Sequence, residues 1–384
     1  MTVPSSADPH HVLHVSQPVE GGVSRVVIDL ATAQLEAGWR VTVACPEGGM
    51  LADALRALGC PVSAWQASRS PDHRLLGETR RLAGLIADVR PDLVHAHSAK
   101  AGLAARLAVR GRIPTVFQPH AWSFEAVDGA MARVALHWER FGARWAQRVL
   151  CVSEAERRTG ELSGITAAWR VTPNGVDTHH YRPQHGRARS ETDTLVVCVG
   201  RLCRQKGQDV LLDAWPAVVE QVPGARLVLV GDGPDAEALR ERAPSCVEFA
   251  GATADAAPWY RAADVVVLPS RWEGMALAPL EAMACGRAVV VTDVDGARES
   301  LPPGCAPHCL VPPESPQALA RALTTLLRAP SLRQSLGATG RAHVLAAHDV
   351  RHAAEAVACV YRELLGADAE PRVVPTKHRE STAT

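Results

Sequence analysis

Three observations predict two α/β domains built on parallel sheets. Short β-branched runs alternate with longer amphipathic stretches. The runs are continuously apolar, as in strands buried on both faces, rather than alternating as in half-exposed ones. The rhythm also stops once, at a polar turn-rich segment, and then restarts.

The first series of strand-like runs is Val12–Val15, Val41–Ala44, Leu93–His95, Thr115–Gln118 and Arg148–Val152. Helix-like stretches such as Ser24–Ala37 and Ser70–Val89 lie between them. The break runs from Thr172 to Ser190, with Pro173, Asn174-Gly175 and Pro183, the composition of a linker. The second series is Thr194–Val199, Arg226–Val230, Val247–Ala250, Val265–Pro269 and Ala288–Thr292. Residues 348–365 then read as one more amphipathic helix, with Val350, Ala353, Ala354, Val357, Val360, Tyr361 and Leu364 on a stripe. The expected division is therefore 8–182, 190–345, a helical segment 346–366 and a disordered tail 367–384. At roughly 100–200 residues per domain, a chain of 384 residues has room for this arrangement.

Charge narrows the function classes. With 41 Lys+Arg against 41 Asp+Glu, no net basic field exists to hold nucleic acid, so any anionic ligand must be held by a few placed groups. Only Lys100, Lys206 and Lys377 are lysine, which marks each for inspection. The start, MTVPSSADPHH, has no basic and apolar signal pattern, and no run reaches the ~18 apolar residues of a membrane span. A cytoplasmic location is expected. The ten cysteines are scattered, with Cys151, Cys198, Cys285 and Cys359 inside apolar runs, as reduced core thiols. Cys305 and Cys309 flank His308 but lack a second ligand pair, so no zinc site is expected.

The most informative segment is Ser270 to Thr292. A strand ends at Pro269, a loop carries Glu273, and a helix follows with Pro279 in its first turn and Gly286 past its end. The loop thus sits at the carboxyl edge of a parallel sheet, where open α/β folds bind ligands. Amides of Met275, Ala276 and Leu277 at the helix start suit phosphate or sugar oxygens. Glu273 and Glu281 suit hydroxyls at either end of a ligand. Glu281 reads equally as an acidic residue stabilising a first helical turn, and Glu273 as a solvated loop carboxylate.

Gly200 to Gly207 follows another strand and puts Arg201 and Lys206 beside the same edge, where they suit a diphosphate or are ordinary exposed turn residues. In the first domain, Gly21-Gly22 opens a helix after the first strand, without the GxGxxG dinucleotide pattern. Strand ends at His97, Ser98, Lys100 and His120 point the same way, and a histidine there could orient a hydroxyl or relay a proton. His95, mid-strand, reads as structural. With no third histidine or carboxylate near His97 and His120, no metal is expected between them.

In order along the chain, Gly21-Gly22, His120, Pro173-Asn-Gly-Val-Asp177, Gly200-Arg-Leu with Lys206-Gly207, Gly231-Asp-Gly-Pro234 and Glu273-x7-Glu281 together resemble the family-four retaining glycosyltransferases of the GT-B fold. The resemblance covers nearly the whole chain, and the Glu-x7-Glu segment is its most specific part. It implies that the second domain binds a nucleoside-diphosphate sugar and the first receives the acceptor. By position, Arg201 and Lys206 would hold the diphosphate, Glu281 the ribose and Glu273 a sugar hydroxyl. Amides of Met275, Ala276, Leu277 and Gly22 would complete the contacts, and the base would stack near Gly231–Pro234 and Ala252–Asp255. His120 would contact the transferred sugar, and the 348–365 helix would cross back to the first domain. Met275-Ala276 stands where many members have Phe-Gly, and Gln205 replaces a frequent acidic residue.

With no Asp-x-Asp element read in a loop, these groups rather than bound magnesium are expected to neutralise the leaving group, and no cofactor is expected. The HSAKAG and PHAWSF segments look like members that build surface polysaccharides or glycolipids. Hence the expected acceptor is a lipid-linked or polymeric saccharide, with weak peripheral contact between the first domain and the inner membrane face. Glycosylation of a small metabolite, an epimerase or phosphorylase on the same fold, and a non-catalytic nucleotide-sugar sensor are the alternatives.

Overall fold

The computed structural model describes residues 9–69, 72–184 and 194–366. The tail expected at 367–384 lies outside the described residues, as do residues 185–193 between the two series.

The first series forms a seven-stranded sheet. Its strands are β1 (His11–Ser16), β2 (Arg40–Cys45), β3 (Val62–Ala64), β4 (Leu93–His97), β5 (Thr115–Gln118), β6 (Arg148–Cys151) and β7 (Trp169–Val171). The second forms a six-stranded sheet from β8 (Leu195–Val199), β9 (Arg226–Val230), β10 (Val247–Gly251), β11 (Val265–Leu268), β12 (Ala288–Thr292) and β13 (Leu310–Val311). The sheet orders are β3-β2-β1-β4-β5-β6-β7 and β10-β9-β8-β11-β12-β13, and every pairing is parallel. This is the GT-B architecture. Helices cover both faces of each sheet, which is why runs such as Val265–Leu268 and Ala288–Thr292 are apolar throughout and wholly buried. Both sheets reverse their strand order near the middle, at β1/β4 and β8/β11, and such switch points open a crevice at the strands' carboxyl ends.

The observed helices run close to the expected stretches. Gly22–Glu36 begins two residues before Ser24, Leu75–Val89 begins five after Ser70, and Val350–Leu365 fills the last segment. That last helix does return to the first sheet. Its Tyr361 is fully buried, shares a hydrogen bond with His95 Nδ1 at 2.5 Å and packs on Trp39, while Glu363 pairs with Arg170 at 2.9 Å. The linker holds the return: Val176 bridges to Asp349, and Thr178 donates to the Asp349 carboxylate at 2.6 Å.

All ten cysteines are free thiols and seven are buried. Cys359 departs from expectation, because its helix turns that position to solvent.

Candidate active site

The loops at the carboxyl ends of the two sheets meet at a groove, and the Ser270–Leu277 loop contacts the first half there through Ser153 and Asn174. Glu273 is 8% exposed. Its Oε1 accepts from the Ser270 hydroxyl at 2.7 Å and pairs with the Lys206 ammonium, while Gln205 donates to the Trp272 carbonyl at 3.0 Å. Glu273 and Lys206 are thus one unit, assembled from loops after β8 and β11. The structure does not support the solvated reading of Glu273.

Arg201 is exposed on the loop after β8 and forms no ion pair among the described residues. Across the groove stands a cation that no motif marked: Arg69, in the loop after β3. Burial and the neighbouring Arg201 charge lower its pKa. Two guanidiniums facing each other raise the local demand for an anion. Lys100, by contrast, does not serve the groove. It is buried at 3% and paired with Glu78 at 2.6 Å, and Glu78 also accepts from the Ser68 amide at 2.8 Å. This lysine therefore anchors the loop that carries Arg69.

Glu281 lies one helical stretch beyond, in Leu277–Ala284, and is 8% exposed. Tyr260 donates to its carboxylate at 2.7 Å. Burial raises its pKa against the bonds from Tyr260 and Tyr181. It lines a cavity of ≈ 260 Å³ together with Arg25, Asp29, Asp177, Ala254 and Asp255. Burial pushes Asp29 up to about 7. Carboxylates outnumber cations in this cavity, so it suits hydroxyl donors rather than phosphate. Ala254 and Asp255 fall where the base-binding segment was expected; Arg25, Asp29 and Tyr181 lie just beyond the marked Gly21-Gly22 and Pro173–Asp177 segments and Tyr260 on the unmarked helix Ala257–Ala262, so none of the four was expected.

The Leu277–Ala284 helix starts with Ala276 as its N-cap. Met275 is 4% exposed, and its carbonyl accepts from Asn174 Nδ2 at 2.7 Å. Gly22 faces this helix start, since a Cβ on it would lie 3.7 Å from Leu277 Cδ1, whereas Gly21, at φ +80, has open space beside it.

His120 sits two residues past β5 on a strained turn, with φ +58 at His120 and +113 at Ala121. The turn is held by buried Glu156, whose carboxylate accepts from the amides of Ala121 and Val152, each at 2.7 Å. Burial pushes Glu156 up to about 7. The Gly274 backbone packs against this carboxylate, and Ser153 donates to the Gly274 carbonyl at 2.9 Å. Glu299 accepts from the amides of Glu154 and Ala155 at 2.7 and 2.8 Å, so the second half caps a helix of the first. His120 and the Glu273 loop are consequently brought together through direct contacts between the two halves.

Two premises behind the metal expectations need correction. His97 and His120 do have histidine company: His14, from β1, lies 2.9 Å from His97, and His14, His95 and His97 bring ring nitrogens within 4.8 Å of one another. Hydrogen bonds to neighbouring side chains already engage most of these nitrogens. The sequence also carries an Asp-x-Asp step in a loop, Asp293-Val294-Asp295 after β12. Asp293 pairs with Arg298 at 2.5 Å and Asp295 accepts from Thr159 at 2.7 Å, so internal partners occupy both carboxylates.

On the outer side of the first half, the Gly129–Gly142 helix leaves Met131 and Val134 61% exposed and Phe141 42% exposed. Arg133, Val134, His137, Trp138 and Phe141 line a shallow groove there. Contiguous apolar exposure of this kind marks an interaction face. No helix among the described residues is long and apolar enough to cross a membrane.

Fold and groove together define a protein of the GT-B class. Residues 20–180 match the family model described as Glycosyltransferase Family 4, and residues 193–329 match Glycosyl transferases group 1. An Escherichia coli UDP-Gal:alpha-D-GlcNAc-diphosphoundecaprenol alpha-1,3-galactosyltransferase is 28% identical over 311 residues, covering 74% of this chain and 80% of that protein. A GDP-mannose-dependent alpha-(1-6)-phosphatidylinositol monomannoside mannosyltransferase of Mycobacterium tuberculosis is 32% identical over 265 residues, covering 63% and 67%. A D-inositol 3-phosphate glycosyltransferase of Streptomyces bingchenggensis is 31% identical over 333 residues, covering 76% and 71%. Among solved structures, Anabaena HepE in complex with UDP and glucose superposes with a TM-score of 0.79 at 22% identity, covering 92% of this chain and all of that one. The chain belongs to the family-four glycosyltransferases.

Proposed function

We propose that the protein transfers a sugar, with retention and without a metal, from a nucleoside-diphosphate sugar to a hydroxyl of a lipid-linked or polymeric acceptor. The observation that carries this reading is the pairing of a cationic groove edge (Arg201 facing Arg69, with Lys206 adjacent) with the carboxylate-lined cavity at Glu281. A diphosphate fits the first and a ribose the second.

Breaking the anomeric C–O bond builds positive character on the sugar and negative charge on the departing diphosphate. Arg201, Arg69, Lys206 and the amides at Met275, Ala276 and Leu277 oppose that negative charge where it develops, which is usually the largest catalytic contribution. Lys206 has three N–H donors and divides them between Glu273 and the diphosphate. Glu273, aligned by Ser270 and Lys206, accepts a sugar hydroxyl, and Glu281 accepts the ribose hydroxyls. His120 meets the sugar from the acceptor side, and Gly21-Gly22 lets the first half approach the phosphate. The acceptor hydroxyl attacks from the leaving group's own face and passes its proton to the departing phosphate. The named relatives support a glycolipid or polysaccharide acceptor, and the exposed Gly129–Gly142 face supports peripheral contact of the first half with the membrane surface, on the cytoplasmic side.

Thermal-shift screening against UDP-, GDP-, ADP- and TDP-sugars identifies the donor, because stabilisation grows with ligand concentration over Kd. Transfer is then followed with that donor and a polyprenyl-diphosphate saccharide in the presence of a chelator, with the anomeric configuration read by NMR. Stabilisation by no donor refutes the reading. Loss of transfer on chelation refutes metal independence alone, and an inverted product refutes retention alone.

A further inference from the structure

His120 is the outer end of a hydrogen-bonded file that runs inward through the first sheet. His120 Nε2 lies 3.1 Å from His97 Nδ1, His97 Nε2 lies 2.9 Å from His14 Nδ1, and His14 Nε2 lies 2.8 Å from Gln34 Oε1. His14 and His97 are fully buried and Gln34 is 3% exposed. A neutral imidazole has one donor and one acceptor, so fixing the polarity at one end fixes it at every link. The inner end is fixed by Gln34, whose carbonyl oxygen can only accept.

Gln34 Nε2 is buried with no hydrogen-bond partner of its own among the described residues. The protons therefore all point inward: His14 to Gln34, His97 to His14, His120 to His97. Nδ1 of the partly exposed His120 ring has no hydrogen-bond partner among the described residues.

We propose that Gln34, His14 and His97 are positioning residues that hold His120 as the Nε2–H tautomer, so that its bare Nδ1 accepts a hydrogen bond from a hydroxyl of the transferred sugar. The role of the file in transfer rests on the proposed function above; its polarity does not. Burial lowers His14 to about 4, lowers His97 strongly and lowers His120 to about 3. No member is then an imidazolium at neutral pH, where both nitrogens would donate.

The test is long-range 15N–1H correlation on the full chain labelled with 15N-histidine at pH 7, with His120 assigned by the signals lost in His120→Gln. The expected result is a proton on His120 Nε2 and none on Nδ1, retained in Gln34→Glu, which keeps an acceptor. In Gln34→Leu, with a native circular dichroism spectrum, both His120 tautomers are expected, with kcat for transfer down about 2- to 10-fold and donor KM little changed, the scale of one hydrogen bond. A proton on His120 Nδ1 in the wild type, or stoichiometric zinc retained by His14, His95 and His97, overturns the proposal. If Gln34→Leu scrambles the tautomer without lowering kcat, the positioning role falls while the file's polarity stands. A wild type that shows the expected tautomer yet transfers no sugar refutes the glycosyltransferase reading instead.

Discussion

Gly274 is a point at which the two halves press together, and adding one methyl there tests the closed groove. A Cβ at this position would lie 2.8 Å from Glu156 Oε1, 2.8 Å from Val152 Cγ2 and 3.0 Å from the Ala121 amide nitrogen. Glu156 cannot retreat freely, because each of its oxygens accepts a backbone amide at 2.7 Å. Overpacking of this kind costs about 1–3 kcal/mol. Because the clash lies between the halves, opening the groove relieves it more cheaply than distorting either sheet. The cost therefore falls on the closed, reactive form rather than on folding. An energy of 1–3 kcal/mol corresponds to a loss of about 5- to 150-fold in kcat/KM. The assay is transfer at several donor concentrations for Gly274→Ala against wild type, with thermal midpoints and small-angle scattering alongside. The expected outcome is the stated loss, a wider scattering envelope and a nearly unchanged midpoint. Transfer within twofold of wild type would refute the reasoning.

The Lys206–Glu273 unit should be sensitive at both members: Lys206→Ala and Glu273→Ala are each expected to lower kcat by about 10²–10³-fold in the transfer assay. Removing one partner of the buried Lys100–Glu78 pair leaves an uncompensated charge, so Lys100→Met should destabilise by about 3–5 kcal/mol in urea unfolding. The double variant Lys100→Met, Glu78→Leu should recover most of that loss. Acid should weaken the fold through His14. Its pKa is lowered in the folded state to about 4 from an ordinary 6.5, so the unfolded chain binds the extra proton. Stability is then full above pH 6.5 and falls as pH drops toward 4, by about 2 kcal/mol from this residue at pH 5. Because buried carboxyls such as Asp29 and Glu156 are raised and act in the opposite sense, the check is the stability of the wild type relative to His14→Gln in urea, which should fall from pH 7 to 5, and a constant difference would contradict the burial of a neutral His14.

Much of this protein is decided by local pattern. Continuous valine-rich runs separated by amphipathic stretches can bury both faces only between helix layers, so the two parallel sheets and most of their strands are legible residue by residue. The Glu273-x7-Glu281 spacing places one carboxylate in a strand-ending loop and the other in the helix after it. The shortest strands, Val62–Ala64, Trp169–Val171 and Leu310–Val311, are not legible, because two or three residues are too few to show a period. His95 and His97 share a face by the strand's two-residue repeat, a signal present in the sequence. That His14 joins them depends on the register of β1 against β4, which pairs His14 with His95. Lys100 and Lys206 look alike as rare lysines beside strand ends. Only the fold gives one Glu78 as a buried partner and the other a carboxylate at the groove. Arg69, Asp29 and Glu299 lie in segments without motif character and become part of the site only when the two sheets are set edge to edge. Contacts between residues far apart in the chain depend on how the layers pack, and the spacing of residues within one segment carries no record of that packing.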